Sequence, residues 1–379
     1  MQHLGTETAF EVFARAKALE AEGREMIHLE IGEPDFDTPP AIVDAAKKAL
    51  DEGYTHYGPS AGMLETREAI ADYVGRDRDV KVDPVQVVVT PGAKAIIFFT
   101  ALSLLDPGDE VIYPNPGFPI YESMIDYIGA RRVPIPLQES YGFAFDPDEI
   151  EALVTDRTRL VIINSPQNPT GGILPEKVLR RIADLARERD FYVLSDEIYS
   201  QIIYEGKHRS IYAYDGMPER TIILDGHSKA YAMTGWRLGY GVMPVEMAQK
   251  VGKLMTNSNS CTCSFTQIAG IEALRGSQES VRAMVEEFRV RRDLIVEGLN
   301  AIPGIRCHKP SGAFYVFPNI EGTGKSSKEM ETFLMDKAGV AVLAGTSFGE
   351  HGEGYIRLSY ANSQDNIRRA LEKIAAALA

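Results

Sequence analysis

Lys229 and Arg237 are the two residues of this sequence whose types and spacing most directly suggest chemistry. They lie in DGHSKAYAMTGWRLGYG (225–241), where Lys229 follows an apolar run that predicts a buried strand and Arg237 comes eight residues later. In open α/β sheets, functional residues lie at the carboxyl ends of strands. A lysine amine there can act as a nucleophile or a base, and an arginine can bind an anion. Taken singly, each would more often be a solvated surface cation or a helix-capping charge, so the interpretation depends on the pair.

Two further segments place polar groups where a ligand could be held. Asp196 ends the strand candidate FYVLSDE (191–197). TPGAKAIIFF (90–99) follows a strand candidate with Pro-Gly and then a helical run, so backbone N–H groups at this helix start could bind a phosphate. The same segment is also compatible with an ordinary turn from strand to helix.

The motifs that mark nucleotide or metal sites are missing from the sequence. No G-x-G-x-x-G opens a helix after the first strand candidate, and GTGKSS (322–327) has Asn319 where a phosphate-binding loop needs its first glycine. Cys261 and Cys263 are separated by one residue rather than two, and the histidines form no metal-binding motif, so we expect no metal site. We expect buried thiols at these two residues and at Cys307.

Composition and charge exclude several classes of protein. The 379 residues are 44% apolar and 25% charged, as in ordinary soluble enzymes, and the length predicts two domains. A net charge of −14 disfavours nucleic acid as a partner. The longest largely apolar run, Ala95–Leu105, is too short to cross a bilayer, and no basic segment precedes an apolar one at the N-terminus. We therefore expect a cytoplasmic protein that does not interact with membranes.

Short β-branched runs alternate with helical patterns through the first two thirds of the sequence. These runs are QVVVT (86–90), DEVIYP (109–114), RRVPIPL (131–137), RLVIINS (159–165), FYVLSDE (191–197) and TIILDG (221–226). Continuous apolar strands of this kind are typical of a parallel sheet covered by helices on both faces. They predict a large α/β domain over residues 46–280.

The two ends of the chain, residues 1–45 and 281–379, predict a smaller α+β domain. A charge-rich helix is predicted over residues 278–299, and the closing segment NSQDNIRRALEKIAAAL predicts an amphipathic helix with Asn362 or Ser363 as its N-cap. Four short strand candidates lie between the two helices: GIRCHK (304–309), AFYVFP (313–318), VAVLAG (340–345) and YIRLSY (355–360).

The segment around Lys229 resembles the lysine motif of pyridoxal-phosphate-dependent aminotransferases of fold type I, the aspartate aminotransferase fold. The core S-K-x-x-x-M-T-G-W-R matches from Ser228 to Arg237, and the resemblance runs in order from IGEPDF (31–36) to YIRLSYA (355–361). It implies pyridoxal 5'-phosphate as the cofactor. It also implies a mostly parallel sheet of seven strands and a homodimer with active sites at the subunit interface.

The resemblance assigns a role to each residue around the cofactor ring. Lys229 would bind the aldehyde, Asp196 would pair with the pyridine nitrogen, and Tyr199 and Asn168 would hydrogen-bond the phenolic oxygen. A carboxylate beside the nitrogen keeps it protonated, so that the ring can accept the electrons of a substrate carbanion. Phe118 would stack on the ring where relatives often have tryptophan or tyrosine.

The implied phosphate site combines a helix start with two side chains. Its groups are Gly92, Ala93, Lys94, Ser228 and Arg237. Gly226 stands where family members often have serine, which leaves the phosphate one potential ligand short. Tyr57, in YTHYGPSAG (54–62), resembles the tyrosine that reaches the phosphate in the neighbouring subunit.

The implied substrate site requires a cation for the α-carboxylate. Arg357 matches the family's carboxylate-binding arginine, and Gly32 matches the backbone position beside that carboxylate, while Phe118 and Asn168 would also border the substrate. The predicted reaction moves an amino group from an L-amino acid to a 2-oxo acid, with 2-oxoglutarate the expected acceptor. It follows a ping-pong course in which Lys229 first holds the cofactor and then removes the α-proton.

The identity of the amino donor is the least determined part of this prediction. Aspartate-specific relatives place a cation near the entrance, partly built by the N-terminal segment, whereas here GTETAFEVFARAK (5–17) has Phe10 and Phe13 beside Glu11. We therefore expect apolar or aromatic donors, unless both rings simply pack on the small domain. The alternatives are an aspartate aminotransferase, a carbon–sulfur β-lyase, or a non-catalytic cofactor sensor, which would need a DNA-binding module.

Overall fold

A sheet of seven strands lies at the centre of the fold. The computed structural model describes residues 4–379. The strands of this part of the chain are β1 (Ile27–His28), β2 (Val87–Thr90), β3 (Glu110–Asn115), β4 (Arg131–Pro136), β5 (Thr158–Asn164), β6 (Tyr192–Asp196), β7 (Thr221–Gly226), β8 (Gly239–Val242), β9 (Tyr315–Val316), β10 (Val340–Ala341), β11 (Leu343–Ala344) and β12 (Ile356–Ser359). The central sheet has the order β2-β8-β7-β6-β5-β3-β4, and within it β8 runs in the opposite direction to the other six strands. The predicted mostly parallel sheet of seven strands is confirmed.

Helices cover both faces of this sheet. The helices are α1 (Ala9–Ala21), α2 (Pro40–Asp51), α3 (Leu64–Arg78), α4 (Lys94–Leu104), α5 (Pro119–Ile128), α6 (Pro147–Leu153), α7 (Glu176–Arg189), α8 (Val245–Ser258), α9 (Ser264–Arg275), α10 (Glu279–Asn300), α11 (Ser327–Phe333) and α12 (Gln364–Leu378). Along β5, Leu160 and Ile162 pack in one apolar cluster with α4, α5 and α8, whereas Val161 and Ile163 pack in another with α7. Burial on both faces explains why the strand sequences are apolar without alternation.

The six apolar runs all form strands of the central sheet. The seventh strand of that sheet, β8, was not predicted from the sequence. Its sequence GYGV is short and rich in glycine, which weakens the strand pattern. The glycines are required by close packing, since a Cβ at Gly239 would overlap the backbone of Ala93, and a Cβ at Gly226 would lie 2.9 Å from the Cα of Gly239. A serine at residue 226 therefore has no room unless β8 moves.

The two ends of the chain meet in a second apolar cluster outside the central sheet. β1 pairs in parallel with β10, and β12 lies between β11 and β9 in a small antiparallel sheet. Residues of α10, α11 and α12 pack on these strands. The Ser363 side chain accepts a hydrogen bond from the backbone N–H of Asn366, so Ser363 is the N-cap of α12.

Two details of this region differ from the predictions. The candidate GIRCHK forms only an isolated bridge between Arg306 and Asn319, and VAVLAG is divided into β10 and β11, which pair with different strands. The predicted boundary between residues 45 and 46 falls inside α2, whose Ile42 and Ala46 belong to one apolar cluster with α9. The division into two domains stays a prediction.

The prediction of buried thiols is correct for Cys307 only. Cys263 is exposed and Cys261 is partly exposed, because both lie in the connection between α8 and α9 at the surface of this chain. Among the described residues, no helix is long and apolar enough to span a membrane.

Candidate active site

A cavity of about 800 Å³ lies at the carboxyl ends of the parallel strands and brings most of the predicted site residues together. Those that line it are Gly32, Ala93, Lys94, Phe118, Asn168, Asp196, Tyr199, Ser228, Lys229, Arg237 and Arg357. Gly92 lies directly behind Arg237. Tyr57 lies outside the cavity and is 89% exposed. These residues come from distant parts of the sequence, and the carboxyl ends of neighbouring strands place them together.

Lys229 extends into the cavity from the turn that follows β7. Its Nζ donates a hydrogen bond to the backbone carbonyl of Gly32 at 2.5 Å. Burial lowers the pKa of Lys229 to about 8, and the positive charges of Arg357 and Lys94 act in the same direction, whereas Glu33 opposes it. A larger fraction of the amine is therefore neutral, and able to act as a nucleophile or a base, than for a solvated lysine.

Asp196 is the last residue of β6 and is buried at the base of the cavity. Its carboxylate accepts a hydrogen bond from the Tyr121 hydroxyl at 2.5 Å and one from the Ile198 backbone N–H at 3.2 Å. Burial raises the pKa of Asp196 to about 7, even though the hydrogen bond from Tyr121 favours the ionised form. A cationic partner would keep this carboxylate ionised, and a protonated pyridine nitrogen is such a partner.

Asn168 connects the strand ends with Arg357. Its backbone N–H donates to the side-chain oxygen of Asn164 at 2.9 Å, and its own side-chain oxygen accepts from Arg357 Nη1 at 3.2 Å. Arg357 is buried, and it lies against the rings of Tyr315 and Phe348 at 4.6 and 5.0 Å from the ring centroids. Its Nε has no hydrogen-bond partner among the described residues. A buried guanidinium with a free donor is suited to bind a carboxylate.

Arg237 lies against the start of α4, at the other end of the cavity. A Cβ at Gly92 would overlap the guanidinium of Arg237, so only glycine permits this approach. Gly92 has a φ of +85°, and Arg237 itself adopts a left-handed backbone conformation with a φ of +52°. No side chain caps α4 at Ala93, and the N–H groups of Gly92, Ala95 and Ile96 already donate to backbone carbonyls. The N–H groups of Ala93 and Lys94 have no acceptor among the described residues. This arrangement of donors fits a phosphate group.

The N-terminal segment borders the entrance of the cavity. Phe10 and Phe13 line it, Phe10 is 63% exposed, and Phe13 packs against the ring of His28. Both rings therefore face the cavity instead of being enclosed in the core. Glu7 forms an ion pair with Lys94, and Lys94 Nζ also lies 5.4 Å from the ring centroid of Phe118.

Several residues that the sequence analysis missed contact predicted site residues, and those that do so through side-chain hydrogen bonds include Glu7, Tyr121, Asn164 and Tyr315. Their sequence contexts are those of ordinary core or surface positions. Tyr121, for example, follows Phe118 at helical spacing, and Tyr315 lies within an aromatic strand candidate. Only the tertiary contacts distinguish them from packing residues.

A buried ionic cluster lies behind the cavity and was also missed. Arg78, from the end of α3, donates to the carboxylates of Glu197 at 3.0 Å and Asp225 at 2.5 Å. Glu197 follows Asp196 directly, and Asp225 precedes Lys229 by four residues. Burial raises the pKa of Asp225 to about 6, with Arg78 opposing the shift. The guanidinium thus connects the ends of β6 and β7 where both strands enter the site.

Comparison with known proteins identifies close relatives along nearly the whole chain. Residues 24–374 match the family model described as aminotransferase class I and II. An aspartate aminotransferase of Pyrococcus horikoshii is 44% identical over 97% of this chain and 93% of its own length. The aromatic-amino-acid aminotransferase 2 of Thermococcus litoralis is 42% identical over 92% of this chain and 90% of its own length. The solved structure of the Thermus thermophilus aspartate aminotransferase with maleate has a TM-score of 0.94 at 40% identity, covering 99% of this chain and 98% of that chain.

Proposed function

This chain belongs to the class I and II aminotransferase family, and we propose that it prefers amino donors with apolar or aromatic side chains, with 2-oxoglutarate as the acceptor. Members of the family use pyridoxal phosphate, so the prediction of a pyridoxal-phosphate-dependent aminotransferase acting on amino acids and 2-oxo acids is confirmed. The relatives named above are aminotransferases, which supports transamination over the β-lyase and sensor alternatives.

The residues of the cavity fit this cofactor. A buried carboxylate that needs a cationic partner is present at Asp196, and a lysine with a lowered pKa is present at Lys229. Near Arg237, the backbone N–H groups of Ala93 and Lys94 have no acceptor among the described residues. When bound, the cofactor supplies a ring that accepts the electron pair left at the substrate's α-carbon as its proton is removed. The protein supplies the groups that hold the cofactor and move that proton.

Each residue in this proposal acts through a specific group. Lys229 would hold the cofactor through its amine, and once released that amine would remove the proton from the substrate's α-carbon. Asp196 would keep the proton on the ring nitrogen, while Tyr199 and Asn168 would hydrogen-bond the phenolic oxygen. Arg357 binds the α-carboxylate of the substrate next to the backbone of Gly32. Binding of the carboxylate at a fixed cation orients the α-proton toward the lysine.

The proposed donor preference depends on the Glu7–Lys94 ion pair. In this assignment Arg357 binds the α-carboxylate and Arg237 the phosphate, while the ring nitrogens of His28 lie 3.0 and 2.7 Å from the carboxylates of Glu20 and Glu30. Apart from Lys229, Lys94 is then the remaining cation among the described residues that line the cavity, and Glu7 already partly neutralises it.

A second carboxylate on the donor would have to compete with Glu7 for Lys94. An apolar side chain instead gains about 1 to 3 kcal/mol by burial beside Phe10 and Phe13. Because Lys94 is present, aspartate remains the second candidate donor. Lys94 also provides a partner for the distal carboxylate of 2-oxoglutarate.

The same proposal includes a homodimer located in the cytoplasm. Tyr57 is almost fully exposed and outside the cavity of its own chain, which suits a residue that reaches the phosphate site of a second subunit. The location can be tested by cell fractionation, and the assembly by the subunit-mixing experiment described below.

The donor preference can be tested by measuring kcat/KM for aspartate, alanine, leucine and phenylalanine with 2-oxoglutarate as the common acceptor. We expect leucine and phenylalanine to be used at least as well as aspartate. The Glu7→Gln variant should raise kcat/KM for aspartate relative to phenylalanine by about 2- to 5-fold, because it frees Lys94.

Glu11→Gln is the matched control, since it removes the same charge from an exposed residue that does not line the cavity. A wild-type preference for aspartate of about a hundredfold or more would replace the proposal with an aspartate aminotransferase.

A further inference from the structure

Two buried tyrosines meet hydroxyl to hydroxyl beside Lys229. The Oη atoms of Tyr199 and Tyr315 are 2.8 Å apart, both side chains are buried, and their rings pack edge to face at 5.7 Å between centroids. A hydroxyl has a single proton to donate, so one tyrosine donates to the other and only the acceptor keeps its proton for a third group. The direction of this hydrogen bond therefore determines what Tyr199 can offer to a ligand in the cavity.

The surroundings of Tyr315 favour it as the donor. The Arg357 guanidinium lies 4.6 Å from the centroid of the Tyr315 ring, and a nearby positive charge makes a phenol a stronger donor. The Tyr315 hydroxyl packs against Gly32 so closely that a Cβ at residue 32 would overlap it. Among the described residues, Tyr199 is the hydrogen-bond partner found for this hydroxyl. Close packing and a single partner hold the Tyr315 hydroxyl in one orientation.

We propose that Tyr315 is a positioning residue for the transamination site, whose hydroxyl donates to Tyr199 and so directs the Tyr199 hydroxyl proton toward the phenolic oxygen of the cofactor. The inference rests on the assignment of Tyr199 in the proposed function. Tyr315 does not contact the phenolic oxygen itself in this scheme and acts only through Tyr199. Loss of its hydroxyl would leave Tyr199 free to rotate and to donate elsewhere.

The experiment measures the pH midpoint at which the absorption of the bound cofactor changes in the substrate-free enzyme. This midpoint reports the proton shared between the Lys229 nitrogen and the neighbouring phenolic oxygen. A donor to that oxygen withdraws its negative charge and makes the proton easier to lose, so removing the donor raises the midpoint. We expect Y199F to raise it by about 1 pH unit or more, and Y315F to raise it by about 0.5 unit.

Y360F is the matched control for Y315F. Tyr360 is also buried, and its hydroxyl lies 3.1 Å from both the Tyr204 hydroxyl and the Ala313 carbonyl, so the same single oxygen atom is removed from a similar tyrosine pair. Urea unfolding of both variants should show comparable losses of stability. Only Y315F should shift the absorption midpoint, since Tyr360 does not line the cavity.

Each outcome of the series has a separate meaning. If Y199F shifts the midpoint and Y315F does not, the positioning role of Tyr315 is wrong while the proposed function stands. If Y199F produces no shift, the assignment of Tyr199 itself fails, and the inference fails with it. The Y199F/Y315F double variant should match Y199F alone, and a further shift in the double variant would show that Tyr315 acts on the cofactor without Tyr199.

Discussion

At the scale of single residues, the burial of Arg357 makes it well suited to bind a substrate carboxylate. It is buried between two aromatic rings, its Nε finds no hydrogen-bond partner in residues 4–379, and burial lowers its pKa. A substrate carboxylate would restore the interactions that the guanidinium lost on leaving water. In a chain with a net charge of −14, such a fixed cation also counteracts the general repulsion of anionic substrates.

Replacing Arg357 by alanine should reduce kcat/KM for every amino donor. Loss of a charge-assisted contact to the α-carboxylate should cost about 3 to 5 kcal/mol of transition-state binding, which is a fall of about 10² to 10³ or more. Arg357→Lys keeps the charge but loses the planar pair of donors, so it should recover only part of the activity. Nearly unchanged turnover in Arg357→Ala would mean that another residue holds the carboxylate.

At the scale of secondary-structure elements, the site depends on how the ends of β6 and β7 are held. Asp196 and Lys229 lie at these ends, and the Arg78 guanidinium connects the two strands through Glu197 and Asp225. A buried ion pair is costly to form, but removing one partner is costlier because it leaves a buried charge uncompensated. Arg78 is therefore a structural support of the site at the end of α3.

The Arg78→Met variant should lose about 3 to 5 kcal/mol of unfolding free energy. The measurement is the urea unfolding midpoint of the protein, compared with that of Arg15→Met. Arg15 pairs with Asp336, and both side chains are at least 40% exposed, so breaking this pair should cost less than about 1 kcal/mol. Equal midpoints for the two variants would show that the buried cluster contributes no more than a surface pair.

At the scale of the whole molecule, the exposed position of Tyr57 suggests that one chain does not form a complete site. Its side chain is 89% exposed, which is unusual for a large aromatic residue, and it lies in the connection between α2 and α3. In a symmetric dimer, the same residue on each subunit would reach the partner's cavity. Each site would then need both chains.

Mixing Tyr57→Ala subunits with Lys229→Ala subunits should restore activity. In the mixed dimer, the cavity that keeps Lys229 faces a partner that keeps Tyr57, so one site is intact. Activity is measured at limiting pyridoxal phosphate, and differently tagged subunits establish that exchange has taken place. Absence of recovery after proven exchange would place Tyr57 in the site of its own chain.

The features that the sequence alone determined are those with a local signature. The six apolar runs predicted strands of the central sheet, because residues buried on both faces must be apolar along the whole strand. The motif around Lys229 led to the family, which the relatives confirm. Most of the site residues that the family resemblance assigned lie in one cavity, where the carboxyl ends of the strands bring them together. Their individual roles stay predictions.

Only the tertiary structure decided the features that depend on contacts between distant parts of the chain. Tyr199 and Tyr315 are 116 residues apart in sequence, Arg78 and Asp225 are 147 apart, and Glu7 and Lys94 are 87 apart. The exposure of Cys263 and the place of β8 in the sheet were also decided by packing. A tyrosine or an arginine has the same local pattern whether it packs passively or meets a polar partner. The fold determines which distant residue becomes the partner, and the local sequence pattern does not identify it.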